Sequence, residues 1–468
     1  SSYSDLLKPW FFIYFFYLNL ISFIKFGKSL AQTFFDNQLA FYFYARLLIA
    51  VIGSIIPIAA YKIGKEFKID FSIPAALLFA FFPYYVVHSH FITPDITITL
   101  FTLLIILFSI RFIKKREDKQ IFLATIFAAI NTAEKYPGLL SYGIIIVAIF
   151  LYAFEVKSPN INFNFNIFIK KFLTTLGLFI LALFISAPNV FIEYGNVIDS
   201  IILESRSTHL GADNLGWGGN ILFYIEQFIV ESNPIVILFI FIGLFASITI
   251  TEKTSIFLLY GLIYCVIMSK LDLHWVRWAL PMYTTPLLLA SLGVGYLWHL
   301  TQNKKRLKYL FRVIVLLSIL QQMIAGFADS SRLGFIDTRV VALEYCNQNN
   351  ITSKNSIYEG YTPFFPQYPK TVFGVSISDI EESKKYIILS SSMYDRYFSE
   401  KDRYINEVYF YQNIEQNHTL VEDFVPSPKP KNLLDELEDI NFYILRYFKK
   451  NHDNRYTGPT IKIYEINQ

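Results

Sequence analysis

The chain has 468 residues, 54% of them hydrophobic and 18% aromatic, with only 17% charged and a formal net charge of +4. Soluble domains carry roughly 25% charged residues, so this composition argues against an ordinary water-soluble protein and for a membrane protein. The two cysteines, Cys265 and Cys346, exclude a disulfide framework or a cysteine-rich zinc site.

The opening "SSYSDLLKPW" lacks the basic start and small-residue cleavage site of a signal peptide, and reads as part of a longer protein. The first apolar run, 9–26, has lysines at both ends, so charge does not orient it, and it is expected to lie in the membrane interface. Apolar runs then recur near 44–62, 73–89, 96–113, 120–133, 138–155, 170–188, 233–250, 255–269, 279–299 and 308–326. Crossing a bilayer core takes roughly 17–25 such residues, so a polytopic helical bundle over 1–326 is predicted.

Lys and Arg collect in alternate loops, at 61–70, 111–119, 157–171, 251–253 and 301–308. The positive-inside rule places these in the cytoplasm. The intervening loops, around 88–95, 133–138, 189–220 and 270–278, then face outward together with everything after residue 326.

Residues 327–468 hold 20 acidic and 16 basic side chains, net −4, which leaves net +8 for the membrane part. The basic excess belongs to membrane loops, and no nucleic-acid partner is implied. Helical spacing over 338–350 and short β-branched or aromatic runs in "NSIYEG", "KYIILSS" and "TIKIYEI" predict a C-terminal soluble α/β domain over 327–468. The fold class expected is therefore mainly α, with that α/β domain appended.

The outward loops carry the candidate chemistry. In "VVHSHFITPD" (86–95), His90 and Asp95 sit beside a helix start, where Asp95 or Thr93 would also serve as an ordinary cap. In "NTAEKYPG" (131–138), Glu134, Lys135 and Tyr136 lie at a span end, where a lysine often only snorkels to the headgroups. A carboxylate and a lysine on consecutive outward loops can face one cavity, the lysine neutralising a phosphate and the carboxylate handling a proton or metal. The long loop 187–220, which contains Glu204 and His209, exceeds ordinary loop lengths and reads as functional or solvated. "SKLDLHWVRWALP" (269–281) places His274 and Arg277 among tryptophans, as phosphate contact or interfacial anchor. No Gly-rich phosphate loop, HExxH or Gly-x-Ser-x-Gly is present.

The order of "ARLLIAVIGSIIPIAAYKIGKEF", "HSHFITPD", "TAEKYPG", "ESRSTHLG" and "HWVRWALP" resembles the family 39 membrane glycosyltransferases of the GT-C class. That group includes the protein O-mannosyltransferases and the aminoarabinose transferase of lipid A, and the resemblance runs from roughly residue 40 to 300. It implies an integral, multi-pass enzyme of the plasma membrane. Such an enzyme moves a hexosyl or pentosyl group from a polyprenyl-phosphate carrier to an acceptor hydroxyl on a lipid, protein or glycan at the outer face. By resemblance Asp95 is the catalytic aspartate, Lys135 and Arg277 contact the carrier phosphate, and Glu134, Tyr136, Glu204, His209, His274 and His90 bind substrate. The family's acidic pair after its first span is not recognisable, which is expected if that span and loop lie upstream of Ser1. No cofactor is certain; His88, His90, Glu134 and His209 could converge on a divalent cation. Two other classes stay open: a transporter or flippase of lipid-linked sugars, and a non-catalytic protein that binds them.

Overall fold

The computed structural model describes residues 17–27, 29, 32, 34, 36, 38–157, 160–250, 253–364, 372–373, 384–449 and 455–467. Residues 9–16 of the expected interfacial run 9–26 lie outside them; within the rest, Ser22–Phe26 form a π-helical turn. The chain divides into two compact units, one of residues 1–207 and 214–326, the other of 208–213 and 327–468.

Every apolar run after that first one becomes helical, because a backbone in lipid must satisfy its hydrogen bonds within the segment. The first unit comprises α1 (Gln38–Gly64), α2 (Ser72–Phe81), α3 (Pro83–His88), α4 (Asp95–Lys115), α5 (Asp118–Glu134), α6 (Tyr142–Ala153), a hairpin of β1 (Phe154–Lys157) and β2 (Asn160–Phe163), and α7 (Phe165–Ser186). It continues with α8 (Asn189–Ile192), α9 (Tyr194–Glu204), α10 (Gly216–Glu231), α11 (Pro234–Ile250), α12 (Thr254–Ser269), α13 (Leu280–Thr301) and α14 (Lys305–Arg332). Among the described residues six helices are long and apolar enough to cross a membrane, and α10 with α11, bent by 120°, makes a seventh crossing if the pair is one broken span. The multi-pass integral membrane character expected from composition is thus borne out.

The apolar run 73–89 is not one helix. Pro83 cannot donate to the preceding turn, and Phe82 adopts an extended conformation between α2 and α3. The long loop 187–220 is also not irregular throughout: α8 and α9 form within it, and α9 leaves Ile198, Ile201, Ile202 and Leu203 exposed. These aliphatics fall at helical spacing among polar residues, a pattern masked at sequence level by the flanking Gly and Asn. Close packing of the bundle uses small residues. A Cβ at Gly243 on α11 would run into the Leu289 carbonyl of α13, and one at Gly293 into the Phe239 carbonyl, so the two backbones touch where each has no side chain.

In the second unit, β3 (Ile336–Asp337) leads into α15 (Thr338–Gln348), followed by β4 (Ser356–Tyr358), β5 (Tyr386–Ser390), α16 (Ser391–Ser399), α17 (Ile405–Asn417), β6 (Thr419–Phe424), α18 (Leu433–Lys449), β7 (Tyr456–Thr457) and β8 (Ile461–Glu465). The sheet order is β4-β5-β8-β6, with β4 and β5 parallel and the other pairs antiparallel. β5 is almost wholly buried because its two faces pack on separate apolar clusters, one holding Ile387 and Leu389, the other Ile388 with Ile461 and Ile463. This is the predicted α/β domain. Thr208–Asp213 joins it: Arg403 grips Asp213 through both terminal nitrogens, at 2.9 and 3.0 Å.

Candidate active site

Chain direction sorts the loops of the helical unit onto two ends. Asp95 opens α4 and Lys115 closes it about 30 Å away. At the Lys115 end, Glu66 accepts from Arg111 at 2.7 Å and from Lys114 at 2.9 Å. At the other end, the Lys135 ammonium donates to Asp95 Oδ1 at 2.9 Å.

Local chemistry explains how each partner arrives there. After α3, Ser89 donates to the Tyr85 carbonyl, and Pro94 takes the cap position of α4 without any side-chain capping bond. Asp95 therefore does not cap its own helix; its carboxylate is free to reach Lys135. Across from it, α5 stops at Glu134, Lys135 is extended, and Tyr136–Ser141 form a 3-10 turn. A Cβ at Gly138 would collide with the Asn131 carbonyl, so only glycine lets this turn fold back onto α5. Asn131, fully buried, donates to Ser141 at 3.2 Å and to Thr102 of α4 at 3.4 Å, clamping turn and helix together.

The third segment comes from "LHWVRWALP". Asn220 of α10 donates to the Ser269 and Leu271 carbonyls at 3.2 and 2.7 Å, and Tyr264 donates to the Trp278 carbonyl at 3.0 Å. These fix the 3-10 turn Val276–Ala279 that precedes α13. Trp278, buried, lies with its ring 5.7 Å from the Lys135 ammonium, within cation–π range. Arg277 is exposed, stands 5.8 Å from the Trp275 ring, and makes no ion pair among the described residues.

The Asp95 side chain is only 3% exposed and that of Lys135 19%. A buried carboxylate and ammonium are costly singly and tolerable as a hydrogen-bonded pair. His88, at the end of α3, interacts electrostatically with Asp95, Arg277 and Lys135 together, so the three segments converge on one region. The buried His88 Nδ1, Thr93 Oγ1, Thr97 Oγ1, Asn131 Oδ1 and Trp278 Nε1 have no hydrogen-bond partner among the described residues. Native interiors seldom strand so many polar atoms on neighbouring segments. Such a set is what a polar ligand or ordered water would satisfy.

Tyr136 and Glu204 line a cavity of about 190 Å³ with Lys135, Trp278, Met268 and Leu271. Glu134 is buried next to Lys135 in sequence. The His90 ring bonds the Val86 carbonyl at 2.8 Å, and the His274 ring lies 4.6 Å from that of Phe223. His209 belongs to the second unit, its ring on the Leu210 carbonyl at 3.2 Å. Among the described residues no three His, Cys, Asp or Glu side chains are grouped so as to hold a metal. Trp278 and Asn131 were missed in sequence: nothing in their spacing separates a site tryptophan from an interfacial one.

Residues 34–191 match the family model described as dolichyl-phosphate-mannose-protein mannosyltransferase. No curated protein matches the chain in sequence. In structure it resembles the oligosaccharyltransferase of Archaeoglobus fulgidus in its apo form, at 10% identity and a TM-score of 0.50, over 98% of this chain and 84% of that one. The archaeal oligosaccharyltransferase AglB from the same organism, in complex with an inhibitory peptide and a dolichol-phosphate, aligns over the same shares at 11% identity and a TM-score of 0.44. The GT-C resemblance read from the motifs is borne out. The fold is that of the membrane glycosyltransferases of this class, with a C-terminal α/β region.

Proposed function

We propose that this membrane glycosyltransferase-fold protein transfers a sugar from a polyprenyl-monophosphate carrier to an acceptor hydroxyl at the Asp95–Lys135 end of its bundle, and that this end faces outward. The observation that carries the reading is the ion pair itself, set between Trp278, His88 and the exposed Arg277.

In the transfer, the bond from the anomeric carbon to the carrier phosphate oxygen breaks, a new bond to the acceptor oxygen forms, and the acceptor proton passes to a base. Negative charge grows on the departing phosphate, so cations placed where it develops lower the barrier most. Lys135 has three N–H donors and commits one to Asp95, leaving two for phosphate oxygens. Arg277 adds a planar fork suited to phosphate. Asp95, buried against Lys135, is assigned to positioning that ammonium rather than to taking the acceptor proton. Tyr136 and Glu204, on the adjoining cavity, contact the sugar or acceptor, which is a lipid, protein or glycan; Glu134, His90 and His274 shape the surrounding loops.

The test is release of polyprenyl phosphate by the reconstituted protein from polyprenyl-phosphate hexose and, in parallel, pentose donors. Turnover is expected with one of them, and Arg277→Ala should lower kcat/KM by about 10²–10³, the usual loss on removing one transition-state donor. Movement of the intact donor between leaflets without release would identify a transporter, and binding with neither would identify a non-catalytic binder; each overturns the proposal.

A further inference from the structure

At the end of the bundle away from Asp95 and Lys135, a groove of about 550 Å³ opens between α2, α13 and α14. Its walls are Ile73 and Leu77 of α2 with Val315, Leu316 and Ile319 of α14, and its mouth carries Lys68 and Arg312. From Arg312 to Ile319 it runs along α14 for about 10 Å toward the middle of the bundle.

Lys68 and Arg312 make the mouth cationic, Lys305, Arg306 and Lys308 line an adjoining cavity that shares Arg312, and no Asp or Glu occurs between residues 301 and 328. Asp70, also at the mouth, is already engaged by Lys65 at 2.6 Å and by the Ser72 N–H at 2.9 Å, so it does not cancel them. Two of the cations are held in place. Arg312 and Lys308 lie 4.9 and 5.4 Å from the Trp298 ring, and Lys308 also donates to Gln302 at 2.7 Å.

We propose that this groove binds one anionic glycerophospholipid, its phosphate at Lys68 and Arg312 and one acyl chain along Ile73, Leu77, Val315 and Ile319. An apolar slot that begins at a fixed cationic rim and runs inward matches a lipid with its charged head at the boundary and its chain in the core. The assignment does not depend on the reaction proposed above, since the groove lies at the opposite end of α4 and α13.

The full-length protein, purified and placed in nanodiscs of mixed phosphatidylglycerol and phosphatidylcholine, tests it by native mass spectrometry of retained lipid. Phosphatidylglycerol should be retained over phosphatidylcholine. Lys68→Gln with Arg312→Gln should weaken that preference by about 25-fold, roughly fivefold for each cation near a membrane surface, and Leu77→Trp should block the chain. Lys119→Gln, outside the groove, should change nothing. Equal retention of both lipids overturns the proposal, as does competition by glycerol phosphate in solution, which would mark a free-phosphate site. Preferential retention of polyprenyl phosphate overturns it too. The wild-type competition decides even where a variant fails to fold.

Discussion

Removing the Lys135 ammonium while leaving Asp95 in place should be among the most damaging single changes in the helical unit. The charges stand 2.9 Å apart with the carboxylate 3% exposed. At an effective dielectric of about 20 their attraction amounts to about 6 kcal/mol, most of it offset by desolvation, and breaking a buried pair by deleting one partner costs about 3–5 kcal/mol. Lys135→Met is therefore expected to lower the unfolding midpoint in detergent clearly. Asp95→Asn combined with Lys135→Met should recover most of that loss, since a buried pair replaced by neutral groups of similar volume costs little. Unfolding curves for the two single variants and the double variant give the coupling, and donor turnover is measured on the same samples. The double variant should be stable and still inactive, because the phosphate has lost its ammonium. Wild-type stability of Lys135→Met would refute the burial argument, and wild-type turnover of the double variant would refute the role given to Lys135.

Gly138→Ala should destabilise by about 1–3 kcal/mol through overpacking against the Asn131 carbonyl and reduce turnover, whereas Gly143→Ala, whose Cβ meets nothing, should do neither. In the α/β unit, Glu359 is fully buried, accepting from the Ser390 N–H at 2.6 Å and the Tyr411 hydroxyl at 2.8 Å, and burial pushes its carboxyl up to about 8. The folded state then holds a proton that the unfolded chain has released. Its stabilising contribution is full below the ordinary carboxylate range and falls by about 1.4 kcal/mol per unit as pH rises toward 8; pH-dependent melting should show this slope, and Glu359→Gln should flatten it. Arg403→Ala should loosen residues 208–213 by stripping Asp213 of two charge-assisted bonds, seen as earlier proteolysis at that segment. Cysteines introduced at Ser207 and Asn303, both exposed, should label from opposite sides of the membrane; labelling from one side would refute the outward assignment.

The sequence by itself determined the membrane bundle, the α/β class of the tail and the short stretches that meet at the site. Apolar length and turn chemistry are local properties, and a helix in lipid or a strand such as 386–390 needs little more than its own residues to form. Asp95 and Lys135 were legible as a carboxylate and an ammonium on consecutive loops of one face. Their bond was not, because it depends on Pro94 taking the cap, on Gly138 folding its turn against Asn131, and on Trp278 arriving from 183 positions beyond Asp95. Chain order puts His209 five residues after Glu204, while packing assigns it to the other unit. The break at Pro83, the helix Tyr194–Glu204 and the cationic rim on Trp298 were likewise decided by tertiary structure. Each rests on which surfaces meet across the bundle, and residue spacing along one chain carries no record of that.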